Sequence, residues 1–416
     1  PLTINYYYFG HIVTAVLTKL SGLDPVVTYN LMIATLFAFT FVGAFSVGGN
    51  LLSTITKTPP RSHFVTPRGW PNGLPRGGLL GGLLAGFLVA LAGNLHTIYS
   101  FFNAYDGENP VPFWTLGLDW NLTNYWYPNA TRFIPLTIHE FPIYSFVVSD
   151  LHGHVLSIPI VLTIIAVLLS LILKLRQIED SGVAPLPRMT SFWLVQNPLR
   201  ILLLAFLLAV AYMTNAWDGI IYFLLSCLVF IALFIYNNFP AIKGKYKIAN
   251  IKKQIYIENL RYILNLQSKF TVYSLLFTMV TLGIGLLLFT LPFSLFFKPF
   301  VSGIGVICAP EFLTKLGKLG PFIFEPDHCQ RSPLWQMLIL HGFWYFWVVA
   351  FIVFLFKLRR ITNYKLLITD MFVLILIALS TLLLILPEFI YAKDIYPAHY
   401  RANTMLNLGS EAFMMR

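Results

Sequence analysis

Eight apolar runs, each long enough to cross a bilayer, decide what this chain can fold into. They are roughly Val26–Leu52, Gly77–Tyr99, Val155–Lys174, Leu199–Ala216, Trp217–Tyr236, Phe270–Phe297, Trp335–Lys357 and Leu366–Pro387. A helix rising ~1.5 Å per residue needs about 20 residues to cross ~30 Å of hydrocarbon. Charged residues make up only 11% of the 416, against about 25% in a soluble domain. Most of the surface must therefore face lipid. The expected fold class is all-α: one polytopic membrane domain over residues 1–416 with about eight transmembrane helices. The runs Leu199–Ala216 and Trp217–Tyr236 abut, which predicts a hairpin turning at Asn215–Asp218. The segment His11–Leu20 is too short to span and reads as an interfacial or re-entrant helix. The chain opens on Pro1 and stops abruptly at Arg416, so we expect a piece of a longer protein.

The loops set the expected orientation. Loops 53–76, 174–200, 237–269 and 357–365 hold 19 of the 28 Lys and Arg residues and 3 of the 17 acids. The alternate loops and both ends hold 13 acids, and the remaining one, Asp370, lies inside the last apolar run. Clustered Lys and Arg mark the cytoplasmic side. The net charge of +11 thus reads as a topology signal and a contact for lipid headgroups, not as a nucleic-acid surface. On this reading the protein is integral to the plasma membrane. The polar loops 100–155 and 298–334, the tail 388–416 and both chain ends then lie outside the cytoplasm.

Gly78, Gly82 and Gly86 repeat at four-residue spacing in the second run. That pattern lets two helix backbones approach closely; without a Lys-Ser/Thr pair and a preceding strand it is not a phosphate-binding loop. Cys308 and Cys329 fall in one outer loop, where a bridge and two free thiols are equally open. Asp370, close to Lys365 at the inner interface, reads as structural.

The polar groups concentrate in Tyr125–Pro159, which holds Arg132, His139, Glu140, Asp150, His152 and His154 among four prolines. Such a density beside a bilayer is costly unless it lines a watery or ligand-filled site. Asp150, His152 and His154 alternate; in an extended segment they share one face and could ligate a divalent cation, Mn²⁺ or Mg²⁺. The competing reading has the histidines capping the next helix or bonding phosphate directly. Glu140 offers a general base or a structural partner for Arg132, whose planar fork suits phosphate oxygens. Asp218 at the hairpin tip closes the site from another side or merely caps a helix. In the tail, Arg401 and Asn403 could hold phosphate and hydroxyl groups.

The segments NYYYFGH (Asn5–His11), EFP…SF…DLHGHV (Glu140–Val155), NAWD (Asn215–Asp218), E-x-x-Y-x-x-D (Glu388–Asp394) and RANT (Arg401–Thr404) carry a resemblance. The chain resembles the YYY-motif family, uncharacterised and very hydrophobic membrane proteins of archaea and some bacteria. Its layout is also similar to the C-type glycosyltransferases, which take sugars from a polyprenyl-phosphate carrier on the outer face. That resemblance implies catalytic roles for Glu140 and Asp150. It implies phosphate or substrate contacts for Arg132, His152, His154, Asp218, Arg401, Asn403, Tyr7 and His11. The carboxylate that such enzymes carry on their first outer loop would lie upstream of Pro1. Gly153 stands where the family has proline, which predicts a looser His-x-His segment, and Asn407 stands where a lysine is expected. The expectation is a membrane glycosyltransferase using a polyprenyl-phosphate-linked sugar. The alternatives are a lipid or sugar transporter and a non-enzymatic cell-envelope assembly protein.

Overall fold

The computed structural model describes residues 7–55, 76–104, 110–180, 198–238, 266–299, 301–362, 366–394 and 398–416. It is mostly helical. In chain order the helices are α1 (Phe9–Ser21), α2 (Pro25–Ile55), α3 (Arg76–Ala90), α4 (His96–Phe102), α5 (Pro142–Val147), α6 (Gly153–Asp180), α7 (Pro198–Thr214) and α8 (Ala216–Asn238). Then come α9 (Leu266–Ser294), α10 (Glu311–Leu316), α11 (Leu334–Thr362), α12 (Ile368–Ile385) and α13 (Ala402–Met414). Among the described residues six helices are long and apolar enough to span a membrane: α2, α6, α8, α9, α11 and α12. The helices α3 and α7 are apolar but have only 15 and 17 residues.

The second apolar run does not continue to Tyr99. It breaks at Gly93-Asn94, where the Asn94 side chain accepts from the His96 amide at 2.9 Å and starts α4 afresh. The Asn215 hairpin forms as expected, with one residue between α7 and α8. The short segment after the tyrosines is helical as α1.

Burial ranks the helices. In their most apolar stretches α6 is 67% buried, α8 56% and α12 50%, while α2, α9 and α11 are only about a fifth buried. The outer faces of those three carry exposed Val26, Phe39, Leu287, Leu288, Phe346 and Phe356. Contiguous apolar exposure of this kind is costly in water and is the natural surface of a bilayer-embedded bundle. The glycine repeat packs α3 against α2: a Cβ on Gly82 would sit 2.9 Å from the carbonyl of Phe45.

The all-α expectation needs one correction. A four-stranded sheet, in the order β2-β3-β1-β4, joins β1 (Gly303–Val306), β2 (Lys318–Leu319), β3 (Phe322–Ile323) and β4 (Ile390–Lys393). β1 runs antiparallel to β4, with Gly303 opposite Lys393 and Val306 opposite Ile390. These strands have two to four residues, too few to show an alternating pattern. Cys308 and Cys329 are bridged across this lobe, with Cα atoms 4.3 Å apart.

The polar segments gather at one end of the bundle. Tyr7 packs on Phe297 at the end of α9, and the Gln336 side chain donates to the Phe133 carbonyl at 3.0 Å. The basic loops that set the expected sidedness fall largely at 56–75, 181–197, 239–265 and 363–365, outside the described residues. Asp370 lies at the first turn of α12, where its carboxylate accepts from the Leu367 amide at 2.8 Å.

Candidate functional site

The turn between α5 and α6 builds the site. Pro142 opens α5 at a position that needs no amide donor. The helix ends at Val147; two residues on, Ser149 adopts a left-handed φ of 57°, and the amide of Asp150 bonds back to the Ser145 carbonyl at 2.9 Å. The chain thereby reverses, and α6 leaves from Gly153. The reversal returns His154 to Glu140, with Nε2 3.2 Å from Oε2. Donor atoms of Glu140, Asp150 and His154 all lie within 4.8 Å of one another.

The alternation expected for Asp150-x-His152-x-His154 does not survive, because α6 begins between the two histidines. His152 turns instead to hydrogen-bond the Asp150 carboxylate through Nδ1, with its side chain 59% exposed. That bond raises the His152 pKa, against the opposing effect of partial burial. The converging set is therefore Glu140, Asp150 and His154, with His152 behind Asp150.

Beneath this cluster lies a buried polar network. The Asp218 carboxylate accepts from Ser157 on α6 and from the Asn215 amide group at 2.9 Å. Asn215 also donates to Asn407 at 3.1 Å, and Asn407 donates to the Asn403 side chain at 2.7 Å. Glu411, 1% exposed, lies against Asp218 and Tyr222, and burial pushes its pKa up to about 7. Glu411 lines the same small cavity as Glu140, Ser145 and His154, about 10 Å³, room for roughly one water molecule. Asp218 is thus no exposed helix cap; it is fully buried.

Two arginines stand apart from this cluster. Arg401 is 2% exposed and pairs with Glu388. Its other donors reach the carbonyls of Pro387 at 3.0 Å and Gln330 at 2.9 Å and the Ser332 hydroxyl at 3.1 Å. Its guanidinium ties the tail to the disulfide lobe rather than facing a phosphate, because all three of its nitrogens are already engaged. Arg132 is half-buried and donates to the Thr137 carbonyl at 3.5 Å; Glu140 takes His154 as its ion-pair partner instead. Tyr7 is buried beside Gly153, and His11 sits half-buried in the first turn of α1. His139, adjacent in sequence to Glu140, is buried and held neutral, its pKa lowered to about 3 by burial and by the nearby Arg401 charge.

Ser157, Asn407 and Glu411 are the residues that sequence reasoning did not place in the site. A signal was present: Asn403, Asn407 and Glu411 recur every four residues, one face of a helix.

The apolar bundle with this inward carboxylate–imidazole cluster at one end defines an integral membrane protein with a polar site at the end of its helices. The comparisons agree with that class and narrow it. The chain belongs to the family described as "Uncharacterized membrane protein (DUF2298)", whose profile matches residues 2–369. No curated protein matches the chain, and no solved structure does.

Proposed function

We propose that this protein is a membrane glycosyltransferase that takes a sugar from a polyprenyl-phosphate-type lipid and passes it to a hydroxyl-bearing acceptor. One observation supports the reading above the rest: Glu140, Asp150 and His154 converge within 4.8 Å at the end of a lipid-facing bundle. Transfer from a lipid phosphate needs a base at the acceptor hydroxyl and a donor-rich place for the leaving phosphate. Glu140 lines the cavity and is the base in this scheme. It takes the hydroxyl proton as the acceptor oxygen bonds to the anomeric carbon, while the carbon–oxygen bond to phosphate breaks and the phosphate keeps the electron pair. His154, beside Glu140, orients the base. His152, with its side chain 59% exposed and its ring stacked beside that of His154, is the group assigned to meet phosphate. Asp150 orients His152, and Asp218 with Asn403 supports the floor from behind. Arg132 is a peripheral contact, and Arg401 is left out because the disulfide lobe occupies it. The reading takes this end to be the extracytoplasmic one, which the clustering of Lys and Arg in the alternate loops supports.

The test is turnover of a radiolabelled short-chain polyprenyl-phosphate hexose by the purified protein in lipid nanodiscs. Glu140→Gln is expected to lower the rate by roughly 10²–10⁴, the usual contribution of a general base, with lipid binding retained. A wild-type protein that binds the lipid and never consumes it would return the reading to a transporter or an assembly protein.

A further inference from the structure

We propose that Glu140, Asp150 and His154 bind one divalent cation of the Mn²⁺ class, with Glu411 of the tail helix closing the site from below. The proposal goes beyond the transferase reading and does not depend on it. Ligands at ~2.0–2.2 Å from a common ion stand roughly 3–4.4 Å apart. The three donors already lie within 4.8 Å of one another, and Glu140 and His154, 3.2 Å apart, already stand at such a spacing. They come from two separate segments, residue 140 before α5 and residues 150–154 around the start of α6, so the fold has assembled them.

A second, independent observation points to a ligand. Glu411 is 1% exposed and lines the same cavity as Glu140 and His154, yet its Oε2 has no aligned hydrogen-bond partner. Buried polar atoms in folded proteins are nearly always satisfied. Glu411 thus brings an unsatisfied carboxylate oxygen to the wall of the cavity that Glu140 and His154 also line. The charge balance points the same way. The carboxylates of Glu140 and Asp150 approach one another, and the only cationic groups ion-paired to them among the described residues are imidazoles, His154 on Glu140 and His152 on Asp150. Uncompensated like charges in a low-dielectric space are costly, and a dication removes that cost. His152 fits as an orienting residue, since its bond fixes the rotamer of Asp150, as outer partners of metal ligands do.

The ligand chemistry selects the ion. Carboxylates with one imidazole suit Mn²⁺ better than Ca²⁺, which takes six to eight oxygens, or Mg²⁺, which keeps several waters. Tetrahedral thiolate chemistry is absent from the cluster.

The experiment uses the full chain in detergent micelles, stripped with chelator and titrated with Mn²⁺ while free ion is followed by electron paramagnetic resonance. One saturable Mn²⁺ per chain is expected. Glu140→Gln, Asp150→Asn, His154→Ala and Glu411→Gln should each weaken it at least tenfold, His152→Ala about tenfold, and the exposed Glu311→Gln not at all. Wild-type protein provides a readout free of folding defects: pulsed resonance of the bound Mn²⁺ should show ¹⁴N coupling from one coordinated imidazole. No saturable binding, or bound Mn²⁺ without ¹⁴N coupling, overturns the site. Either failure leaves the lipid-turnover assay free to succeed, so the two readings fail separately.

Discussion

His96 shows what a single buried titratable group does to this protein. It is 4% exposed, with its ring edge-on to Phe133 at 4.7 Å between centroids. Burial lowers its pKa to about 4, against ~6.5 in an unfolded chain. The unfolded state therefore takes a proton before the folded one does. Stability is fully present above pH ~6.5 and is lost as pH falls toward 4, by about 1.4 kcal/mol per pH unit, or roughly 3 kcal/mol over the window. Thermal unfolding in detergent from pH 7.5 to 4.5 should show that loss. His96→Phe, which keeps the aromatic packing, should flatten the slope by this share; an unchanged slope would mean that His96 does not stay neutral. At this scale the sequence was informative about identity and silent about partnership. Glu140, Asp150 and His154 stood out as polar groups in an apolar chain. That Glu140 meets His154, and that Glu411 arrives from more than 250 residues away, depends on a chain reversal and a docked helix that local spacing does not encode.

The start of α6 is where an element, not a residue, makes the site. A Cβ on Gly153 would lie 2.5 Å from the carbonyl oxygen of Thr214, so α6 begins in contact with the last turn of α7. The sequence reading took this glycine as a looser substitute for proline. The structure corrects that: the position is crowded, and glycine is there because any β-carbon meets backbone. Proline would suit the first turn of a helix in its φ, but it too carries a Cβ and would push α7 away. Gly153→Ala should cost about 1–3 kcal/mol, as overpacking does. It should also displace His154, one residue on. Melting temperature reads the first effect and Mn²⁺ affinity the second. Loss of stability without loss of affinity would show that the cluster moves with α6 as a unit. Helix length was legible in the apolar runs because lipid demands it. The break between α3 and α4 was not foreseen: Gly93-Asn94 lies inside an apolar stretch, and only the bond from the His96 amide to the Asn94 side chain marks the turn at which the chain re-enters a helix.

Across the whole molecule, the tail is what links the disulfide lobe to the site. β4 pairs with β1, the Ala392 amide donates to the Thr404 hydroxyl at 2.9 Å, and α13 then carries Asn403, Asn407 and Glu411 inward. Arg401 sits at the junction, bonded to Glu388 and to Gln330 and Ser332 beside the bridged Cys329. The sequence supported a membrane bundle with polar segments at one end, and read the tail as polar and near the surface. It did not show that this tail folds back as a buried helix: Asn403, Asn407 and Glu411 mark one polar face, but nothing local to the tail says what that face docks against. Removing Arg401 tests the link. Arg401→Met leaves the Glu388 carboxylate without its cation, which costs about 3–5 kcal/mol where a pair is fully buried. Glu388 keeps 19% exposure, so the lower end applies. That cost is borne locally, because the helices of the bundle do not rely on Arg401 for packing. Amide hydrogen exchange should therefore accelerate over residues 402–414 while α6 and α8 stay protected. If α13 loosens, Glu411 leaves the cavity wall, and Mn²⁺ affinity should fall although residue 401 touches none of the proposed ligands. Uniform loss of protection throughout the bundle would instead make Arg401 a keystone of the fold and the tail no separate element.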